Sequence, residues 1–195
     1  MLCGIAQRKG IFMARSNSIS PKIIETATEA AQDLFRRMES LKLRLVFAES
    51  CTAGLVSALV AGNAGASNCL CGSAVTYQNA TKEKWLGINP QQILEHSAVS
   101  GPVTEAMARS VLFNTPPADF SVAVTGHLQS EFEPEGSLIW IAAATRQQAD
   151  FQVFESKRFP LINGTRIERQ WEAAECVLHF ALDVISEFIS DESSK

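Results

Sequence analysis

Leu41-Lys42-Leu43-Arg44-Leu45-Val46-Phe47-Ala48 alternates apolar and charged residues, then turns continuously apolar, and Glu49-Ser50-Cys51-Thr52-Ala53-Gly54 comes directly after it. The run predicts a strand over 41–48 entering a sheet covered on both faces. The polar, glycine-ended stretch breaks that strand and opens a helix to about Ala61. A strand that hands over to a helix in this way is a unit of an α/β sheet.

Upstream, Ser20 and Pro21 suit the cap and first position of a helix. Ile23, Ile24, Ala27, Ala30, Ala31, Leu34, Phe35 and Met38 then recur at three- and four-residue spacing. Downstream, 62–67 reads as a loop and 69–76 as a second strand. Two short helices are expected at 81–86 and 90–96. A third starts at Ser100, with Met107, Ala108, Val111 and Leu112 inward, and ends at Asn114-Thr115-Pro116-Pro117. A strand over 120–124 runs into Thr125-Gly126. Strands at 137–144 and 150–154, joined through polar Gln147-Gln148, suit an antiparallel hairpin. A long amphipathic helix over 165–189 places Ile167, Trp171, Ala174, Leu178, Ala181 and Ile185 on one face. The expected fold is α/β: a single three-layer α/β/α domain around a mixed, mostly parallel sheet, behind a basic extension over 1–20.

Composition narrows the function. The 195 residues carry 17 Lys+Arg against 21 Asp+Glu, a net charge of −4, which argues against binding a nucleic-acid backbone. Four bases and no acid lie in the first 24 residues, leaving 13 bases against 21 acids beyond them. No apolar run reaches the ~18–20 residues that span a bilayer, so no membrane partner is expected. Five cysteines at scattered spacings suit reduced thiols in a cytoplasmic protein. Cys69-Leu70-Cys71 has no second ligand pair, and on a strand both side chains share one face, read as apolar core rather than metal site. No metal and no cofactor are expected.

In such sheets ligands bind beyond the carboxyl ends of the strands. Three polar motifs fall there: 49–54, 77–82 and 125–127. Between strand and helix, Ser50 has its hydroxyl near free backbone amides that suit a phosphate or an oxyanion; alternatively, Ser50 or Thr52 caps the helix. The stretch is not a G-x-S-x-G elbow, since no glycine stands two residues before Ser50. A serine nucleophile needs a base. His179 lies within the last helix and His96 ends a short one, whereas Lys82, or Lys84 two residues on, follows a strand end as in Ser-Lys enzymes. Thr125 and Gly126 put a hydroxyl and a permissive backbone at a third strand end. Against 11 Phe and 3 Trp, the only tyrosine is Tyr77.

Ala48-Glu49-Ser50-Cys51-Thr52-Ala53-Gly54-Leu55 resembles the signature of the CinA C-terminal domain family. The downstream motifs keep that family's order: Gly72-Ser73-Ala74-Val75-Thr76-Tyr77-Gln78-Asn79, Lys82, Leu86-Gly87-Ile88, His96-Ser97-Ala98-Val99-Ser100, Ala123-Val124-Thr125-Gly126, and Gly136-Ser137-Leu138-Ile139-Trp140-Ile141-Ala142. The similarity runs from about Ile24 to Ile185, which makes 21–195 the CinA-like domain. Active members are metal-independent nicotinamide mononucleotide amidohydrolases of pyridine nucleotide salvage. The resemblance implies Ser50 as nucleophile, with Lys82 and Tyr77 assisting proton transfer. It implies Thr52 and Gly54 as helix-start contacts to substrate, and Thr125 and Gly126 as pocket lining. Arg166 or Arg169 would meet the phosphate. The implied partners are a nucleotide substrate and further copies of the chain in a homo-oligomer.

The chain departs from the family where Ala-Gly-Pro and a glycine-rich loop normally come after the Thr-Gly pair. It reads His127-Leu128-Gln129-Ser130-Glu131-Phe132-Glu133-Pro134-Glu135. Fewer glycines and three acids imply a differently shaped rim, compatible with another amide substrate or with a nucleotide-binding regulatory module. Full-length CinA proteins carry a large N-terminal domain with no counterpart in these 195 residues.

Overall fold

The computed structural model describes residues 19–129, 136–146, 151–162 and 164–192. β1 (Leu45–Glu49) is buried along its whole length. Its neighbours are β2 (Leu70–Val75) and β3 (Phe120–His127), with β4 (Leu138–Arg146) and β5 (Phe151–Pro160) further outward. The order is β2-β1-β3-β4-β5. β1 pairs parallel with β2 and β3, and β4 is antiparallel to β3 and β5. The sheet is therefore mixed, and β4 alone runs against the other strands.

Alternation along the strands divides the core into two layers. Leu45 and Phe47, with Val122, Ile139 and Ile141, pack against α1 (Pro21–Leu41), α2 (Leu55–Ala61) and α6 (Arg166–Glu192). Val46 and Ala48, with Ala123, Ala142 and Ala144, face α3 (Asn79–Leu86), α4 (Pro90–His96) and α5 (Gly101–Phe113). Each fully buried Leu, Ile or Met contributes about 1.5–3 kcal/mol, so Leu34 and Met38 of α1 and Leu178 and Ile185 of α6 anchor their layer. This is the α/β/α architecture expected from the pattern.

Several local expectations are corrected. α1 continues through Leu41 and stops at Lys42, whose N–H donates to the Glu39 carbonyl and whose left-handed backbone (φ 56°) turns the chain so that the Leu43 N–H reaches the Met38 carbonyl (3.0 Å). The alternation at 41–43 is thus a helix end and a turn, and the strand starts at Leu45. Ser20 makes no side-chain cap; its carbonyl accepts from the amides of Ile23 and Ile24. Cys69 and Cys71 do not share a buried face. Cys69 is buried at the end of a short 3-10 turn (Ala66–Asn68), whereas Cys71 is exposed on β2, an edge strand. β5 runs to Pro160, beyond the expected 154. Most of the basic extension, the Gln147-Gln148 connection and the rim acids Glu131, Glu133 and Glu135 lie outside the described residues. Among the described residues no helix is long and apolar enough to cross a membrane.

Candidate active site

β1 delivers Glu49 and Ser50 to the carboxyl edge of the sheet, where the Ser50 amide donates to the Val124 carbonyl of β3 (3.1 Å). The chain then turns sharply into α2. Ala53 N–H donates to the Ser50 carbonyl (3.1 Å), and Ala53 (φ 55°) and Gly54 (φ 94°) are both left-handed. For a residue with a Cβ such as Ala53 that conformation costs about 1–2 kcal/mol, so tertiary contacts hold the turn. One comes from α6, where Gln170 Nε2 donates to the Thr52 carbonyl (3.0 Å).

The others converge on Glu49, whose side chain is fully buried. Oε2 accepts from Thr52 Oγ1 (2.8 Å), Gly54 N (2.9 Å) and Val56 N (3.1 Å). Oε1 accepts from Ser57 N (3.0 Å) and Ser73 Oγ (2.9 Å). Neither Ser50 nor Thr52 caps α2; Glu49 does. Of the amides read from the sequence as a cradle for phosphate or oxyanion, those of Gly54, Val56 and Ser57 are already taken by this carboxylate. Thr52, with no exposed surface, and Gly54 serve this internal carboxylate and do not line the cavity beside Ser50.

Lys82 comes from α3. Gln78 and Thr81 form a capping box at its start, and Lys82 points inward and is only 2% exposed, whereas Lys84 is exposed. Nζ donates to Ser50 Oγ (2.9 Å) and to the Thr76 carbonyl (2.8 Å). Burial pulls its pKa below the ordinary lysine range, with a smaller opposing effect from Cys51. A neutral amine there can take the Ser50 proton. The neighbouring Cys51 thiol is pushed up to about 12, chiefly by burial, and so stays protonated and a poor nucleophile.

The cavity above this pair has a volume of about 270 Å³. Ser50, Lys82, Thr125 and Gly126 line it together, with Tyr77 and Arg166 also on its wall. Thr125 Oγ1 donates to the Ala98 carbonyl (3.0 Å), tying the end of β3 to the segment before α5. Gly126 faces Ile139 across the β3–β4 ladder; a Cβ there would fall 2.6 Å from the Leu138 carbonyl oxygen. Tyr77 is half exposed, and its hydroxyl accepts a 2.8 Å hydrogen bond from Arg166 Nη2. The phenol thus contacts a guanidinium rather than the Ser50–Lys82 pair. Arg169 donates to the Leu128 carbonyl (3.1 Å), a bond within the protein.

Sequence reasoning missed Glu49 as a functional side chain, although an acid at a strand end just before a helix start was the available signal. It also gave no role to Asn79, Ala98 or Val99 on the wall, and His127, the last residue of β3 and part of the third polar motif, lines it too. His96 and His179 do not. Among the described residues no three His, Cys, Asp or Glu side chains gather to hold a metal ion.

Fold and site together define an open α/β/α protein with a buried serine–lysine pair at the carboxyl edge of its parallel strands. The chain belongs to the CinA C-terminal domain family, whose model matches residues 27–186. A CinA-like protein of Shewanella frigidimarina is 36% identical over 128 residues, covering 64% of this chain and 30% of that protein. Another, from Shewanella sp. (strain W3-18-1), is 34% identical over 143 residues, covering 70% and 32%. The chain thus spans about a third of the length of these curated relatives. The crystal structure of a competence/damage inducible protein from Agrobacterium tumefaciens superposes with a TM-score of 0.70 at 26% identity, covering 81% of this chain and 94% of that one. A CinA superfamily protein from Klebsiella pneumoniae gives 0.73 at 22% identity, covering 83% and 98%, and shares the fold.

Proposed function

We propose that this protein hydrolyses the carboxamide of nicotinamide mononucleotide, giving nicotinate mononucleotide and ammonia, as a step of pyridine nucleotide salvage. The observation that carries this reading is the buried 2.9 Å contact between Lys82 Nζ and Ser50 Oγ. Neutral Lys82 accepts the serine proton as Oγ attacks the amide carbon. The resulting ammonium returns that proton to the nitrogen, which leaves as ammonia. A water then attacks the Ser50 ester; Lys82 takes one of its protons and passes it to Ser50 Oγ as the ester bond breaks, and the acid product gives its remaining proton to solvent and leaves as the carboxylate. The Thr76 carbonyl keeps the amine aimed throughout.

In this reading Arg166, steadied by Tyr77, receives the nucleotide phosphate at the mouth, while Thr125 and Gly126 shape the floor. Tyr77 is therefore assigned to substrate binding rather than proton transfer. Reduced thiols and a small symmetric oligomer belong to the same reading. His127 and Gln129 on the wall favour a second one, in which the same serine–lysine pair acts on a different amide.

The test is ammonia release from nicotinamide mononucleotide by the purified protein, with Ser50→Ala as control. Turnover that disappears in Ser50→Ala supports the proposal. Turnover of another amide alone supports the second reading. Calorimetric binding without turnover of any amide points to a nucleotide-binding regulatory module, and no turnover with no binding overturns all three.

A further inference from the structure

We infer that Glu49 is a positioning residue: its carboxylate is a built-in anion that holds the start of α2 and thereby fixes Ser50 Oγ against Lys82. The inference rests on the reading of Ser50 as the nucleophile.

A buried carboxylate is costly unless its charge and lone pairs are answered. Here five donors answer it, from the turn (Thr52, Gly54), from α2 (Val56, Ser57) and from β2 (Ser73). Its charge is met by these N–H and O–H groups and by the positive end of α2, with no salt bridge among the described residues. A Ser or Thr cap would satisfy one amide; Glu49 joins three pieces of chain. Its own backbone is pinned as well, because its carbonyl accepts from Thr76 N (2.8 Å), and the Thr76 carbonyl in turn accepts from Lys82. Ser50 is therefore the residue between an immobilised strand end and a turn closed over the same carboxylate. Both partners of the 2.9 Å contact are referenced to Glu49.

The occupied amides also bear on the substrate. With the amides of Gly54, Val56 and Ser57 already serving Glu49, they are not open to an anionic substrate group, and Arg166 is an exposed cation on the cavity wall that can receive one.

The test is Glu49→Gln. The better amide orientation leaves the glutamine oxygen on Thr52, Gly54 and Val56 but sets its NH2 against the Ser57 N–H, and it removes the charge. The readouts are melting temperature, kcat and KM on nicotinamide mononucleotide, and the rate at which a fluorophosphonate labels Ser50. In labelling, the serine oxygen displaces fluoride at phosphorus and its proton passes to Lys82.

A folded variant whose labelling and kcat both fall about tenfold or more, with KM nearly unchanged, supports the inference. A folded variant that labels at the parental rate, or that loses activity through KM alone, overturns it. If Glu49→Gln does not fold, Thr52→Val and Ser73→Ala each remove one donor to the carboxylate. Slower labelling in both supports the inference, and parental rates overturn it. A parent protein that labels at Ser50 but leaves nicotinamide mononucleotide intact overturns only the substrate assignment, and the labelling ratio then decides the role of Glu49. A parent that does not label at Ser50 overturns the inference itself.

Discussion

Lys82 Nζ donates to Ser50 Oγ across 2.9 Å, and both side chains are almost wholly withdrawn from water, at 2% and 7% exposure. A lysine at an exposed site is a solvated cation. Here the Thr76 carbonyl and the serine oxygen are its hydrogen-bond partners, and burial favours its neutral form.

Replacing Lys82 by Met keeps most of the buried stem and removes the base. The expected loss in kcat is about 10²–10⁴-fold, the usual range for a general base. Steady-state ammonia release measures it, and an active Lys82→Met variant would remove Lys82 from the chemistry.

The same burial sets a pH dependence. The neutral amine is the active form, so kcat/KM should rise with pH through the lowered native pKa and level off before the ordinary lysine value of 10.5. Stability has the same sign: between the two pKa values the unfolded chain binds the extra proton, so Lys82 favours the native state increasingly as pH rises through that window. Chemical denaturation from neutral to alkaline pH should show this slope in the parent and not in Lys82→Met.

Arg166→Ala should raise KM for the nucleotide and leave kcat nearly unchanged, because the guanidinium lies at the mouth, away from the reacting bond. Tyr77→Phe removes only the acceptor that steadies it. At an exposed site that bond is worth ~1 kcal/mol or less, so KM should rise by about fivefold at most. A fall in kcat with Tyr77→Phe would return the phenol to proton transfer.

Gly126→Ala should destabilise the fold by about 1–3 kcal/mol, because the new methyl falls on the Leu138 carbonyl and Ile139 where β3 meets β4. Thermal denaturation reads the change. An unaltered melting temperature would show that the two strands part easily at that point.

The layered fold was legible in the sequence because burial imposes periodicity: Ala27 to Met38 at helical spacing, and Leu45 to Ala48 as a run covered on both faces. Element ends were less legible. Leu41-Lys42-Leu43 alternates like a strand, and what ends α1 there is a left-handed residue, a backbone choice with little trace in side-chain pattern. In the site, the residue types and the strand ends that carry them could be read along the chain, but not which groups satisfy one another. Glu49 looked like part of a motif and turned out to cap α2. Thr52 and Gly54 looked like ligand contacts and face that carboxylate. Tyr77 and Arg166, 89 residues apart, meet at the cavity mouth.

By itself, then, the sequence determined the elements, the two-sided core and the candidate chemistry, since these arise from local periodicity and residue type. Only the tertiary structure decided that Lys82 is buried with its Nζ on Ser50 Oγ and the Thr76 carbonyl, and that amides at the start of α2 belong to Glu49. Hydrogen-bond partnership and desolvation depend on what is brought together from distant parts of the chain, and no local pattern encodes that.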